Sequence, residues 1–315
     1  MKPAILLIGT NGQVGRALNR TLPRVGEVTS LGRQQLDLTQ PEEIRRAIRA
    51  SHPEFIINST AYTAVDSAES EESVARAINA DAPGIIAEEA RKIGASLIHF
   101  STDYVFDGFK NVPYDEDDPP NPRNVYGRTK LEGERKIQAS GAAYLIFRTA
   151  RVYATEGRNF LLTILRLATQ REELRIVCDQ IGSPTLSGEI ADATTNILTQ
   201  ICDRRGGPFS LADLSGIYHM TAGGESSWSD FAKAILEEAA HAPHAGSWIS
   251  AATGGLPLIA RGVIPIATDE YPTAAQRPAY SVLSNARLKR AFSLQLPDWR
   301  IQLHSIFAEL PAAAH

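Results

Sequence analysis

Residues 4–15, AILLIGTNGQVG, join a short apolar run to a glycine-rich turn. The first five residues have the length and composition of a buried strand, and a helix is predicted over residues 14–22. The turn between them carries Gly9, Gly12 and Gly15. Glycines at such a junction let a pyrophosphate approach the backbone, where the helix N-terminus offers free N–H groups and a positive dipole end. The stretch therefore predicts a dinucleotide-binding turn at the start of a parallel α/β fold.

The first half of the chain repeats this strand–helix alternation. Further strands are predicted at residues 27–31, 54–58, 96–100 and 144–148, and further helices at residues 41–50, 70–93 and 125–140. Apolar strands that alternate with helices form parallel sheets covered on both faces, so we predict a Rossmann-type, doubly wound α/β fold. Pro83 should kink or divide the long helix over residues 70–93.

The pattern loosens after about residue 155. Helices are predicted at residues 159–171, 188–201, 229–240 and 297–310, and short strands at residues 174–177 and 216–220. Glycine- and proline-rich connections lie between them, such as GGLPLIARGVIP at residues 254–265. We predict that residues 1–155, with a later returning segment, form an NADP-binding Rossmann domain. Residues 156–315 would form mainly a smaller α/β lobe that binds the substrate.

Composition narrows the class of protein. The chain has 315 residues, 43% of them hydrophobic, and a net charge of −4, which argues against nucleic acid as a partner. Its two cysteines show no metal-ligand spacing, so no metal site is predicted. The N-terminal apolar run is too short for a signal peptide, and no stretch has the length of a membrane span. These features predict a cytoplasmic protein with no membrane or nucleic-acid partner.

The end of the second predicted strand bears on which dinucleotide binds. An acidic residue there favours NAD, whereas an arginine accommodates the 2′-phosphate of NADP. The sequence at this point is Leu31-Gly32-Arg33, so Arg33 favours NADPH, although NADH remains possible and the residue could be an ordinary surface arginine. Other candidates for the cofactor crevice follow the second and third strands: Asp37, Leu38, Ala61, Tyr62 and Thr63.

A phenol and an ammonium stand four residues apart in NVYGRTK, residues 124–130. On a helix, Tyr126 and Lys130 share one face, which for an isolated pair is more often simply solvated. Thr102 ends the fourth predicted strand and enters the same crevice. Hydride delivery to a carbonyl leaves an alkoxide that needs a proton, and a nearby ammonium brings a tyrosine pKa of about 10 closer to neutral. The three residues fit carbonyl reduction; turn capping is the alternative for Thr102 and Asp103.

Motifs along nearly the whole chain carry a specific resemblance. They include GTNGQVG, INSTAYTAVDSAES, HFSTDYVFDG, NVYGRTKLEGE, DQIGSPT and YPTAAQRP, in that order. With them the chain resembles the extended short-chain dehydrogenases/reductases, and among these the dTDP-4-dehydrorhamnose reductase family. The resemblance implies NADPH- or NADH-dependent reduction of the C4 keto group of dTDP-4-dehydro-β-L-rhamnose to dTDP-L-rhamnose. That reaction supplies cell-surface polysaccharide, including lipopolysaccharide.

The same resemblance implies roles for individual residues. Tyr126 would donate the proton, Lys130 would hold the nicotinamide ribose and tune Tyr126, and Thr102 would complete the triad. Residues along the cofactor would be Asn11, Gly12, Gln13 and Val14 at the phosphates, with Asp37, Leu38, Ala61 and Thr63 at the adenine and ribose. Residues at the sugar nucleotide would be Asp103, Val105, Gln180, Pro184 and Arg277. Arg277 suits a diphosphate because its fork matches phosphate oxygens, and a surface salt bridge is its alternative.

Two departures from the family pattern keep alternatives open. Arg151 stands where some members carry a tryptophan near the sugar, so another dTDP-deoxysugar 4-ketoreductase is an alternative. Ala17 stands where some members carry a glutamate that shares Mg²⁺ across a dimer, so Mg²⁺ is not predicted. A third alternative is a non-catalytic NADP-binding subunit like the regulatory subunit of methionine adenosyltransferase. The expected assembly is a monomer or a homodimer.

Overall fold

The computed structural model describes residues 2–203, 211–241 and 246–308. The strands are β1 (Ala4–Ile8), β2 (Glu27–Leu31), β3 (Phe55–Asn58), β4 (Ser96–Thr102), β5 (Ala143–Thr149), β6 (Val152–Tyr153), β7 (Glu173–Val177), β8 (Ile181–Gly182), β9 (Thr185–Leu186), β10 (Gly216–His219), β11 (Ser226–Ser227) and β12 (Gly262–Ile266). The helices are α1 (Gln13–Thr21), α2 (Pro41–Ser51), α3 (Val65–Ala68), α4 (Glu72–Arg76), α5 (Ala82–Ile93), α6 (Val125–Ser140), α7 (Phe160–Ala168), α8 (Ser187–Asp203), α9 (Trp228–His241), α10 (Gly246–Thr253), α11 (Ala286–Phe292) and α12 (Trp299–Ala308). Within these described ranges, none of the helices combines the length and the apolar character needed to cross a membrane.

Six parallel strands form the central sheet in the order β10-β5-β4-β3-β1-β2. The predicted Rossmann-type α/β fold is confirmed. The chain runs from β1 outward to β2 and then returns to place β3 on the other side of β1. The carboxyl ends of β1 and β3 therefore flank a topological switch point, which is where open parallel sheets bind ligands.

Helices cover both faces of the sheet because its central strands are apolar on both sides. On one face, α1 and α8 pack with residues such as Leu7, Phe147 and Ile197. On the other face, α2, α5 and α6 pack with residues such as Leu6 and Ile146. These side chains are at most 1% exposed. Burial of this much apolar surface is the main force that holds the layers together.

The second half of the chain returns to complete this layered unit. β10 pairs with β5 in register Ile217 to Ile146, and α8 packs beside α1. The strand predicted at residues 216–220 is therefore the sheet's outer strand and does not belong to a separate small sheet. Its position follows from chain topology, because its short sequence carries no signal about which neighbour it will pair with.

A second hydrophobic core lies among α7, α9 and α12, with Phe231 and Trp299 near its centre. β7 and β12 form a two-stranded parallel sheet beside it. The prediction of an irregular connection over residues 254–265 is wrong at its end, where β12 begins at Gly262. Pro265 argued against a strand, but a proline is compatible with a sheet edge, where its missing N–H needs no partner.

The helical run that contains Pro83 is interrupted by a widened turn. Ala77–Asp81 makes a single π-helical stretch between α4 and α5, and Pro83 follows in the first turn of α5. A proline donates no backbone hydrogen bond, and a widened turn before it accommodates the interruption. The chain therefore continues in nearly one helical run from Glu72 to Ile93 and does not break.

Candidate active site

The glycine turn joins β1 to α1 by a close backbone approach. Gly9 has φ of 99°, a conformation that side chains disfavour. A Cβ at Gly15 would collide with the carbonyl oxygen of Gly9, so the helix can sit against the turn only without one. Gly12 is the N-cap of α1 and provides no side-chain cap. The first N–H groups of the helix are thus left for a ligand, the arrangement that suits an anion.

Residues of the turn form hydrogen bonds with the segment after the second strand and with the substrate side of the site. Asn11 Oδ1 accepts a hydrogen bond from the Arg33 backbone N–H at 3.3 Å, while the Arg33 side chain stays exposed. Gln13 Nε2 donates to the Val152 carbonyl at 3.3 Å, and its buried Oε1 has no hydrogen-bond partner in the described part of the chain. Val14 packs against the apolar core. The turn is therefore preformed, with one buried acceptor still to be satisfied.

The two residues predicted at the adenine side lie in the loop after β2. Asp37 Oδ1 accepts from the Thr39 backbone N–H at 2.9 Å and from its hydroxyl at 2.8 Å. These bonds, with Arg33 as a further positive charge, lower the pKa of Asp37. Leu38 is buried at 9% exposure and packs in the core below the sheet end. An ionised Asp37 beside the Arg33 guanidinium is thus available at this edge.

The segment that leaves β3 is fixed by a buried amide. Asn79 Oδ1 accepts from the Tyr62 N–H at 2.8 Å, and Asn79 Nδ2 donates to the Tyr62 carbonyl at 3.2 Å. The Tyr62 hydroxyl donates to Glu71 at 2.6 Å. This pair of hydrogen bonds to Asn79 holds residues 61–63 beside the switch point. Asn79 itself was missed from the sequence because it stands in the middle of a helical pattern.

Thr102 ends β4 and has the turn-capping role considered for it. Its hydroxyl accepts from the Tyr104 N–H at 3.1 Å, which caps the turn Asp103–Val105, and donates to Asp103 Oδ1 at 3.0 Å. It also lies at the Tyr126 phenol. Burial raises the pKa of Tyr126 well above its usual value, with Asp103 and Tyr104 adding to the rise and only the Thr102 hydroxyl opposing it. The Tyr126 phenol is therefore protonated at neutral pH.

Asn124 sets the start of α6, the helix that carries Tyr126 and Lys130. Its Oδ1 caps α6 by accepting from the Gly127 N–H at 2.8 Å, and its Nδ2 donates to the Gln276 carbonyl at 2.8 Å. Tyr126 consequently lies in the first turn of α6, with the Tyr104 ring edge-on at 5.6 Å between centroids. The helix bounds, residues 125–140, agree with the prediction. An asparagine just before a helical pattern is a recognisable N-cap signal.

Lys130 is buried at 1% exposure. Its Nζ donates to the Phe100 carbonyl at 2.6 Å and lies 3.1 Å from His99 Nε2; His99 Nδ1 lies 3.1 Å from Asn58 Nδ2. Burial lowers the pKa of Lys130 to about 8, with Glu134 opposing the shift. The predicted lowering of the Tyr126 pKa by Lys130 is absent here, because burial dominates at the phenol. His99 and Asn58 were missed, although each is a polar residue in an otherwise apolar strand.

Arg151 organises the predicted sugar side. It adopts a positive φ of 46°, and its guanidinium donates to the carbonyls of Ser226 and Gln180, each at 2.8 Å. The same group lies 4.2 Å from the Trp228 ring centroid. Burial lowers the pKa of Arg151 to about 10, opposed by the attraction of Asp103. The structure thus brings Arg151, Gln180 and Asp103 into one region.

Asp103 is the buried carboxyl of this region. It is 2% exposed, and burial raises its pKa. Its Oδ2 has no hydrogen-bond partner among the described residues. Val105, by contrast, is fully buried in an apolar cluster with Phe106 and Tyr114, so its side chain has a packing role. Pro184 is also buried.

Arg277 forms a salt bridge, which was the alternative to a diphosphate contact. Its guanidinium donates to both carboxylate oxygens of Asp66, at 2.5 and 2.6 Å, and to the Ala275 carbonyl. The Asp66 carboxylate raises the pKa of Arg277 further. A role as a diphosphate contact would require Arg277 to exchange or share this partner.

The position compared with a metal ligand in other family members lies in the apolar core. Ala17 is buried at 2% exposure in the core between α1 and α8. Across residues 2–203, 211–241 and 246–308, no three His, Cys, Asp or Glu side chains are grouped to hold a metal ion.

Comparison with known proteins identifies the family. Residues 1–311 match the RmlD substrate binding domain family. The chain is 46% identical over 297 residues to a dTDP-4-dehydrorhamnose reductase of Burkholderia thailandensis, covering 94% of this chain and 95% of the relative. It is 39% identical over 310 residues to the enzyme of that name from Escherichia coli K12, covering 97% of each chain.

A solved structure agrees with these sequence matches. The dTDP-4-dehydrorhamnose reductase of Bacillus anthracis, determined in complex with NADP, superposes with a TM-score of 0.84 at 33% identity, covering 98% of this chain and 99% of that one. The resemblance stated from the motifs is confirmed. The chain belongs to the RmlD substrate binding domain family, the family of the dTDP-4-dehydrorhamnose reductases.

Proposed function

We propose that this protein reduces the C4 carbonyl of dTDP-4-dehydro-β-L-rhamnose to give dTDP-L-rhamnose, with NADPH as the preferred reductant. The observation that carries the proposal is the meeting of Thr102 and Tyr126, one helical turn from Lys130, at the carboxyl end of β4. The glycine turn lies on the same sheet edge. The catalytic residues are thus Tyr126, Lys130 and Thr102.

The arrangement accounts for the proton in this reaction. A bound dihydronicotinamide supplies the hydride to the carbonyl carbon. Tyr126, kept protonated by burial, donates its phenolic proton to the oxygen as negative charge develops there. The Thr102 hydroxyl lies beside the same phenol and orients the carbonyl oxygen toward it. Lys130, one turn further along α6, would hold a cofactor hydroxyl with its amine when the dinucleotide is bound.

The glycine turn and the ends of β2 and β3 form the proposed cofactor site. Gly12 leaves the first N–H groups of α1 without a side-chain cap, and Gln13 Oε1 is a buried acceptor without a partner in the described chain, so the residues fit a dinucleotide. Arg33 would hold a 2′-phosphate, which is why NADPH is proposed over NADH. Further contacts are assigned to Asn11, Gly12, Val14, Asp37, Leu38, Ala61, Tyr62 and Thr63. Mg²⁺ has no proposed role, since Ala17 offers no ligand atom.

The proposed substrate site lies opposite, against the lobe formed mainly by residues 156–315. Asp103 offers a buried oxygen to a sugar hydroxyl, and Arg151 with Gln180 faces the same region. Val105, Pro184 and Arg277 border this site in the proposal. The protein would work in the cytoplasm as a monomer or homodimer, consistent with the exposed thiol of Cys178, which is in no disulfide.

The competing function is reduction of the 4-keto group of another dTDP-deoxysugar, and Arg151 is the residue that favours it. A cation stacked on Trp228 shapes a sugar pocket differently from an aromatic side chain. A purely regulatory NADP-binding role is less well supported, because it would not need Thr102, Tyr126 and Lys130 together.

The test is NADPH oxidation with dTDP-4-dehydro-β-L-rhamnose made in situ by the preceding enzymes, with the product identified by NMR. Turnover to dTDP-L-rhamnose supports the proposal. Tight NADPH binding without turnover of this sugar, but with turnover of another dTDP-4-ketosugar, supports the competing reductase. Binding without turnover of any ketosugar would support the regulatory reading.

A further inference from the structure

The first turn of α6, which carries Tyr126, is held by side chains that lie outside the helix. Glu69 Oε1 accepts a hydrogen bond from the Val125 N–H at 2.8 Å, and Asn124 Oδ1 accepts one from the Gly127 N–H at 2.8 Å. The first N–H groups of a helix have no partners within it, so side chains that bind them fix where the helix begins. The position of the Tyr126 phenol therefore depends on what holds Glu69 and Asn124.

A surface strap, residues 272–278, binds Asn124 from the other side. The strap belongs to the second half of the chain, and its Gln276 carbonyl accepts from Asn124 Nδ2 at 2.8 Å. The Gln276 side chain accepts from Arg123 at 2.8 Å. Within the strap, Ala275 is only 1% exposed, so the segment packs against the body of the protein. The strap thus contacts the chain immediately before the turn that carries the phenol.

Asp66 fastens this strap to α3. Its carboxylate accepts from the Ala275 N–H at 3.0 Å and from both terminal nitrogens of Arg277, at 2.5 and 2.6 Å. The hydrogen bonds from Arg277 lower the pKa of Asp66, so the pair is charged at neutral pH. Asp66 lies three residues before Glu69, which ends α3. One short helix therefore binds both the strap and the start of α6.

We propose that Asp66 is a positioning residue for Tyr126. Asp66 holds the strap, the strap holds Asn124, and Asn124 holds the first turn of α6. Arg277 adds a second contact in the same place: it opposes the rise that burial causes in the pKa of Tyr104, and the Tyr104 ring lies edge-on to Tyr126. The inference rests on the proposed function, because the position of the phenol matters for the rate only if it delivers the proton.

The kinetic test is Asp66→Asn, which keeps the shape of the side chain and removes its charge. The single-turnover rate should fall about tenfold or more, because a small displacement of a reacting group is costly, while the KM of the sugar nucleotide and the Kd values of NADPH and dTDP change less than about twofold. Glu72→Gln, at an exposed site on α4, is the matched control and should leave all four quantities unchanged. An unchanged rate in Asp66→Asn would overturn the proposal. A loss confined to KM or to the Kd of dTDP would also overturn it, because the pair would then act on nucleotide binding.

Asn124→Asp tests the path through the strap. A carboxylate at this position keeps an oxygen for the Gly127 N–H but loses the N–H that binds the Gln276 carbonyl. The rate should fall by a similar factor, and the double variant with Asp66→Asn should lose little more than either single variant. Losses that multiply would show two separate routes and overturn the proposal. If Asp66→Asn does not fold, Asn124→Asp carries the kinetic and the exchange measurements.

Amide hydrogen exchange tests the same path without substrate. Peptides that cover residues 124–130 should exchange about tenfold faster in Asp66→Asn than in the wild type or in Glu72→Gln, since fewer contacts then hold the first turn of α6. Unchanged exchange in an enzyme that reduces the sugar would refute the inference and leave the proposed function intact. Faster exchange in a protein whose wild type reduces no dTDP-4-ketosugar would support the role of Asp66 in placing Tyr126 and refute the proposed function instead.

Discussion

Two buried cations lie on neighbouring elements behind the candidate site, and they differ in the groups that they contact. Arg148 on β5 is 2% exposed in its side chain and binds the equally buried Glu134 through two hydrogen bonds, with Ser101 on the same carboxylate. Lys130, one turn before Glu134 on α6, has an imidazole and a carbonyl as its contacts. The ion pair with Glu134 makes Arg148 a fixed part of the scaffold, although its buried Nη1 has no hydrogen-bond partner among the described residues. Lys130, by contrast, lies where a change of protonation can serve chemistry.

The largest expected effect is on kcat, and it follows from loss of the proposed proton donor. Tyr126→Phe removes the proton donor and should lower kcat by at least about 10²–10⁴-fold, while the Kd for NADPH changes little. Stopped-flow single turnovers and fluorescence titration measure the two quantities. Tyr104→Phe is the matched control, because its ring packs on Tyr126 but its hydroxyl has no assigned role in proton transfer. Equal losses of kcat in both variants would show that packing, and not the phenolic proton, matters.

Of the two buried cations, the paired one, Arg148, should contribute more to the stability of the fold. Glu134→Gln leaves the buried Arg148 without a counter-charge and should lower the free energy of unfolding by about 3–5 kcal/mol, measured by urea denaturation. Glu132→Gln is the control on the same helix, since Glu132 pairs with Arg76 and Lys136 at the surface and should cost at most about 1 kcal/mol. A similar small cost for both variants would remove the distinction between the two cations.

Lys130 should instead make stability depend on pH. Its pKa is about 8 in the folded protein, below the value of about 10.4 for an unfolded chain. Between these values the unfolded chain binds the proton and the folded protein does not, so raising the pH favours folding. Relative to Lys130→Met, the wild type should gain about 2.5 kcal/mol from pH 8 to pH 10.4. A difference that is constant over this range would mean that Lys130 has an ordinary pKa.

The smallest expected effect lies at the cofactor edge. Arg33→Ala should weaken NADPH about tenfold, as expected for loss of one exposed charge-assisted contact, and leave NADH nearly unchanged. Calorimetric Kd values for the two dinucleotides provide the measurement and its internal control. Equal weakening of both would exclude the 2′-phosphate role of Arg33.

Local signals made most of the sheet predictable, and they also singled out the residues that we propose as catalytic. The run Ala4–Ile8, the glycine turn and the NVYGRTK stretch each combine composition with position, and the structure has elements at those places. The partners that act over long sequence distances were not predictable in the same way. Asn58 and His99 lie in different strands and meet Lys130 only through the sheet order, and Arg277 finds Asp66 across 211 residues.

Prediction from the sequence has a second limit, which is seen in the positive φ of Arg151 and in the strand that includes Pro265. Each opposes the local preference of its residue type, and tertiary contacts compensate. Arg151 is held by the carbonyls of Gln180 and Ser226 and by Trp228, and β12 is held by its pairing with β7. Side chains on opposing elements, which local patterns do not describe, decided both cases.

The most direct test of the central claim is to follow the hydride. The enzyme would be supplied with NADPH deuterated at the transferable position of nicotinamide C4 and with dTDP-4-dehydro-β-L-rhamnose, and the product would be analysed by NMR. The account predicts dTDP-L-rhamnose with deuterium at C4 of the sugar. Deuterium at another carbon, or a product without deuterium, would contradict the assignment of this site to C4 carbonyl reduction.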